Sequence, residues 1–190
     1  MTKILRLRST IARPAVATAY AAGDEISNDG TAGSVVRATF NLAGFSRCRI
    51  LGAELDVTAA SGNVVTTALD VELMLFRTDE VPAAVGDNVT NPVTAAQRAS
   101  SVGVFRFDDT GWTGPLGTAA AGTSQHQAVA AHLVQPSGTP SLQIFAPRGF
   151  VFNFDGVGTK TLIAVLRALA AWTPTGIINT FGIMLDIEAE

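Results

Sequence analysis

Reactive side chains are scarce in this chain. It holds two histidines, His126 and His132, and one cysteine, Cys48. The histidines are six residues apart, a spacing unlike that of a metal pair such as H-E-x-x-H, so they read as surface or interface polar groups rather than ligands. Cys48 lies between Arg47 and Arg49, and flanking cations favour a thiolate. Strand alternation sends both arginines to the face opposite Cys48, which makes it a buried structural thiol. A single cysteine also excludes an intrachain disulfide and any Cys-rich zinc site. Carboxylates come as the neighbours Asp24/Glu25, Asp79/Glu80 and Asp108/Asp109. Adjacent strand residues point apart, so such a pair converges only in a turn. A loop calcium site at Asp108/Asp109 stays open as an alternative to solvated turn acids.

Tyr20, Trp112 and Trp172 are candidates for a sugar-stacking platform, or else core and interface anchors. Asn88-Val89-Thr90 fits a glycosylation sequon, but it carries no weight without a secretory signal. Lys3, Arg6, Arg8 and Arg13 fall within the first thirteen residues, where there is no acid. That segment reads as a basic arm that contacts the acidic surface of a neighbouring subunit or shell; the competing reading is a solvated terminus. Leu5 and Leu7 alternate with the cations, so the segment also suits addition to another chain's sheet edge. No G-x-S-x-G elbow, P-loop or G-x-G-x-x-G is present. The expectation is therefore no catalytic residue, no cofactor, no metal site and no enzyme.

The elements that would hold these residues are mostly strands. In 34–42, Val36, Ala38, Phe40 and Leu42 alternate with Val35, Arg37, Thr39 and Asn41, the period of a half-buried strand. From Leu51 the inward set is Leu51, Ala53, Leu55 and Val57, with Glu54, Asp56 and Thr58 outward. The phase shift from Cys48 and Ile50 suggests a bulge at Gly52. Leu69, Val71, Leu73 and Leu75 form a third row, opposed by Asp70 and Glu72. Further strands are expected over 102–107, 141–145, 150–154 and 179–188, the last turning Phe181, Ile183, Leu185 and Ile187 inward and Asp186 and Glu188 outward. Segments 161–172 and 125–134 fit either helix or strand spacing; the first is assigned as strand, to partner the C-terminal strand, and the second is left open. A short helix is placed near 94–100, after Pro92, with Thr94 as N-cap. Residues 111–123 read as a surface loop.

Composition points the same way. The chain has 190 residues, enough for one domain of this kind. The organisation expected is a basic arm over 1–13 and a single β-sandwich domain over 14–190. Charged residues make up 15% of the chain, against roughly 25% in an average soluble domain. A surface so poor in charge suggests cover by partner subunits. The net charge of -3 gives no overall attraction to nucleic acid. Arg167 interrupts the longest apolar stretch, which is too short for a bilayer span of about 20 residues. Arg13 and Pro14 likewise interrupt any signal-peptide core, so a soluble chain without membrane or export signals is expected.

Several stretches resemble a group of tailed-bacteriophage capsid decoration, or cement, proteins. They are 13–26, running from Arg13-Pro14 to Tyr20-Ala-Ala-Gly-Asp-Glu-Ile26; 51–58; 69–76, Leu-Asp-Val-Glu-Leu-Met-Leu-Phe; Asp87-Asn88 with Pro92; 102–107; and 162–174 with the closing strand. Together they span most of the chain, each as a loose pattern. The resemblance implies an all-β, antiparallel β-sandwich or jelly-roll-like virion protein without enzymatic activity. It implies the major capsid protein as partner, a homo-oligomer with a trimer favoured, and a place on the capsid exterior after synthesis in the host cytoplasm. Nucleic acid and membrane are not expected as partners. The alternative is a receptor- or carbohydrate-binding sandwich module of a phage tail appendage. The contact residues Lys3, Arg6, Arg8 and Arg13 come from charge placement and not from the resemblance.

Overall fold

The computed structural model describes residues 2–14, 17–59, 69–108, 124–130, 132–134, 143–145, 150–153, 160–174 and 179–190. Within them the chain is an antiparallel β-sandwich. The first sheet contains β1 (Lys3–Ala12), β4 (Arg47–Ala59), β7 (Ser124–Ala130), β10 (Phe150–Asn153) and β12 (Asn179–Ala189). Its order is β1-β12-β4, and the far edge of β4 is shared by β10 and β7. The second sheet contains β2 (Glu25–Ile26), β3 (Thr39–Asn41), β5 (Val71–Arg77), β6 (Gly103–Phe107) and β11 (Thr161–Ala168). Its order is β11-β5-β6, and the other edge of β11 is shared by β2 and β3. β8 (His132–Val134) and β9 (Gln143–Phe145) form a separate pair. Of the two ambiguous segments, 161–168 is strand and 169–172 is not, and 125–134 is strand where described. The expected partnership of 161–172 with the C-terminal strand does not form: β11 pairs with β5 in the second sheet, while β12 lies between β1 and β4 in the first.

The core lies between the two large sheets and follows the alternation. Phe40, Leu55, Leu73 and Leu185 are all buried, with the inward row Phe181, Ile183 and Ile187 against Ile50, Val57 and Leu166. Truncating such a side chain to Ala costs about 2–5 kcal/mol. A phase change in β4 occurs where the sequence marks it. Asp186 of β12 faces Gly52 while Ile187 faces Ile50, so Leu51 is the inserted residue. It is exposed, not inward as the simple alternation from Leu51 suggests, because a bulge places two successive residues against one partner.

The expected strand over 34–42 is shorter than its pattern. Residues 32–34 form a 3-10 turn, β3 begins at Thr39, and Val36 is exposed. Ala38, Phe40 and Leu42 are in the core, whereas Arg37 turns to the segment between β5 and β6, and its Nε and Nη2 donate to the two oxygens of buried Glu25 at 2.7 and 2.8 Å. The short helix α1 (Ala95–Ser100) forms with Thr94 as N-cap. The Thr94 hydroxyl accepts from Gln97 N–H while the Gln97 side chain accepts from Thr94 N–H, a reciprocal capping box.

Residues 1–13, expected as an arm, behave differently. β1 pairs with β12 in unbroken register from Lys3↔Ala189 to Ala12↔Thr180. Its Leu5, Leu7 and Ile11 face the core, so the segment is an edge strand of the sandwich. The alternation of Leu5 and Leu7 with cations is the pattern of such a strand, and the edge that it extends belongs to its own chain.

Candidate contact surface on the first sheet

The outer faces of the two sheets are built from different materials. On the first sheet, the outward residues of β1 are Ile4, Arg6, Arg8 and Thr10, all exposed. Those of β12 include Asp186 and Glu188, and those of β4 include Arg49, Glu54 and Asp56. Cross-strand pairing turns these into ion pairs. Arg6 reaches Glu54 and lies 3.9 Å from Asp186. Arg8 lies 3.6 Å from Asp56. Arg49 lies 2.8 Å from Glu188, and Arg47 lies 3.9 Å from Glu190.

Arg8 and Asp56 stand on β1 and β4, with β12 between them. Gly182 of β12 is what permits their approach. A Cβ there would come within 3.1 Å of Arg8 Nη2 and 3.3 Å of Asp56 Cβ. The missing side chain leaves a path for the guanidinium across the strand.

Of the four predicted contact residues, Lys3, Arg6 and Arg8 are exposed on β1 and Arg13 is not. Arg13 has 0% exposure, and its guanidinium carbon lies 5.5 Å from the Tyr20 ring centroid and 5.4 Å from that of Trp172. Tyr20 and Trp172 stack at 4.9 Å, and Trp172 meets Phe181 edge-on. The Tyr20 hydroxyl donates to Asp87 Oδ1 at 2.6 Å. Burial and that hydrogen bond raise the Tyr20 pKa well above its ordinary value. Desolvation raises the Asp87 pKa too. These two aromatics are therefore packing anchors for Arg13 and for each other, not a sugar platform; Trp112 lies outside the described residues.

The other candidates disperse. Cys48 is buried on the inner side of β4, and burial pushes its thiol pKa up. His126 and His132 stand in β7 and β8, opposite Asp56 and Phe145 in register. Asp24 and Glu25 diverge as adjacent strand residues do. Asp24 accepts from Ala21 N–H and the Thr90 hydroxyl, while Glu25 binds Arg37 and Asn91. Glu80 binds Arg77. Asp109 and residues 111–123 lie outside the described residues, and with Asp109 the proposed calcium loop. Among the described residues, no group of three His, Cys, Asp or Glu side chains is placed to hold a metal ion.

The acids opposite the β1 cations were missed as partners, although Glu54, Asp56, Asp186 and Glu188 were all assigned to outward positions. The signal that could have found them is the matching spacing of two in Arg6/Arg8, Glu54/Asp56 and Asp186/Glu188. It becomes readable once β1 is recognised as a strand.

No protein family matches the sequence, and no characterised relative does. Similar solved structures include a decameric BFDV capsid protein, at 12% identity over all of both chains with a TM-score of 0.33. The virus-like particle of giant freshwater prawn Macrobrachium rosenbergii nodavirus shares 10% identity over 100% of this chain and 93% of that one, TM-score 0.34. Sacbrood virus of honeybee shares 10% over 97% and 69%, TM-score 0.28. At these scores the chemistry of the surface has to be read from its own residues.

Proposed function

We propose that this chain is a non-enzymatic structural protein of a virion, one that decorates and stabilises a bacteriophage capsid by seating on its major capsid protein. The observation that carries this reading is the outer face of the first sheet: a broad β-surface whose charges are already matched within the chain. Such a face offers area and shape for contact while adding little net electrostatic cost. The sequence resemblance to tailed-phage decoration proteins supports the same role, with three-fold oligomers on the shell and a place on the capsid exterior. Arg6 and Arg8 stand on this face on its edge strand, Lys3 lies exposed at the end of that strand on the side of Leu5, and all three are assigned to the shell contact. Buried Arg13 is assigned to packing against Tyr20 and Trp172. Two of the three aromatics behind the tail-module reading, Tyr20 and Trp172, are packed against each other and Arg13, which favours the shell reading.

The test is co-sedimentation of the purified chain with capsids stripped of it, together with electron-microscopic labelling of intact particles. Binding to the head shell is expected, with saturation at a fixed ratio to the major capsid protein. Label confined to the tail, or no pelleting with stripped heads, overturns the reading. Deleting 1–13 would remove a strand and test folding instead, so Arg6→Gln/Arg8→Gln is the informative variant. At low salt it should weaken attachment more than at high salt, where the screening length falls below about 8 Å.

A further inference from the structure

One transverse row of the open face is complementary to itself when reversed. Ile4 of β1 stands opposite Glu188 of β12, Glu188 opposite Arg49 of β4, and Arg49 opposite Val151 of β10. The row is apolar, acid, base, apolar. At the adjoining row, Glu190 and Arg47 repeat the acid and base, joined by reciprocal backbone hydrogen bonds. Ile4 is 67% exposed and Val151 48%, two of the most exposed large apolar side chains among the described residues. A shallow depression lies over this end of the face, lined by Arg47, Arg49, Val151 and Glu188 among others. Arg49 Nε is buried there without a hydrogen-bond partner.

We infer that this face pairs with the same face of a second copy about a two-fold axis lying between β12 and β4 and parallel to them. That operation sets Ile4 of one copy on Val151 of the other. It also sets Glu188 on Arg49 and Glu190 on Arg47, each in both directions, as an isologous contact requires. In the row of Asp186 it brings the acid over Gly52, so no like charges meet. An axis running along β12 itself would instead stack Asp186 and Glu188 on their own copies. The twist of two packed sheets keeps the strands of the copies within about 30° of each other.

Four strands about 4.8 Å apart and ten residues at about 3.3 Å give roughly 630 Å² of face per copy, or about 1,300 Å² for the pair. Specific interfaces start at about 1,200 Å², so the dimer is weak and concentration-dependent. The inference concerns the free protein in solution and does not rest on the capsid reading; the face that pairs is the one assigned to the shell, so the dimer has to dissociate before the chain seats.

The test is sedimentation equilibrium of the full chain from micromolar to near-millimolar concentration. Arg49→Glu and Glu188→Arg each place like charges across the axis and should weaken self-association by at least about tenfold. An equimolar mixture of the two restores opposite charges at both contacts and should form a heterodimer as tight as the wild-type dimer. Val151→Lys, at an exposed site without an ion pair, should weaken pairing on its own while leaving the far-ultraviolet spectrum unchanged. A wild-type chain that stays monomeric or forms trimers in solution overturns the inference. So does a mixture that pairs no better than its components.

Discussion

Both sheets carry arginine-carboxylate pairs, but on opposite sides of the water boundary. On the first sheet the pairs stand in solvent: the side chains of Arg6 and Arg8 are 56% and 60% exposed. On the second sheet they are covered by the segment between β5 and β6. Met74, Phe76, Val104 and Val165 form a second apolar cluster there, under Val81 and Val93. Beside it, Arg98 of α1 grips buried Glu72 with two hydrogen bonds of 2.6 and 2.8 Å. Arg167 lies 3.9 Å from the same carboxylate. Glu25, clamped by Arg37 and Asn91, holds the 82–83 turn through the same arginine. The same chemistry therefore serves two purposes. Where water is excluded the pairs fasten loops to the sheet, and losing one partner strands a charge. Where water reaches them they contribute little to folding and remain available to a partner.

The largest effect should come from breaking a covered pair. Glu25→Ala leaves Arg37 and Asn91 without their acceptor, and a loss of about 3–5 kcal/mol is expected in urea unfolding. A loss below about 1 kcal/mol would erase the distinction between the two faces.

Gly86 comes next, in the turn that packs on residues 28–31. Its φ is +106°, and a Cβ would lie 2.6 Å from Gly30 O. Gly86→Ala should lower the thermal midpoint by several degrees, on the scale of about 4 °C or less per kcal/mol for a chain of this size.

Asp87 sharpens the comparison through pH. It is buried, and Oδ1 accepts from both Tyr20 and Ser27 while Oδ2 has no hydrogen-bond partner. Asp87→Ala removes the acceptor of two buried donors and should cost about 1–3 kcal/mol. Asp87→Asn keeps an acceptor. Burial raises the folded pKa above the ordinary value of 3.8, so the native state favours the protonated acid. This group's contribution to stability is full below pH 3.8 and is lost as pH rises through its raised pKa. Asp87→Asn should therefore gain stability relative to wild type at neutral pH and lose that gain in acid. Thermal melts across that range would show it, and a gain independent of pH would contradict it.

The smallest effect belongs to the open face. Arg8→Ala should change stability by no more than about 1 kcal/mol, and less in high salt. A larger, salt-insensitive loss in chemical denaturation would mean that this pair fastens the strands as the covered ones do.

Much of the sandwich was legible in advance because inward and outward residues alternate along strands. β5, β11 and β12 follow from their apolar rows, and α1 from Thr94 and Gln97. The failures share a cause. Val36 was grouped with Ala38, Phe40 and Leu42 because alternation assumes an unbroken strand, whereas β3 begins only at Thr39. Leu51 was assigned inward because the residue inserted at a bulge is fixed by the partner's register. The first thirteen residues were set apart as an arm because their cations outweighed Leu5, Leu7 and Ile11 in the reading. Arg13 looked like its neighbours in charge, although its surroundings are two aromatic rings.

The sequence by itself determined the strands, the inward rows, the bulge near Gly52 and the helix cap, since these depend on side-chain period and local hydrogen bonds. It also put Glu54, Asp56, Asp186 and Glu188 on outward faces. Only the tertiary structure decided which cations meet which acids. It also decided which sheet face is covered by the β5–β6 segment and which stays open. Those outcomes depend on strand order and register between segments more than a hundred residues apart, as with Arg6 and Asp186, and no local pattern along the chain encodes that distance.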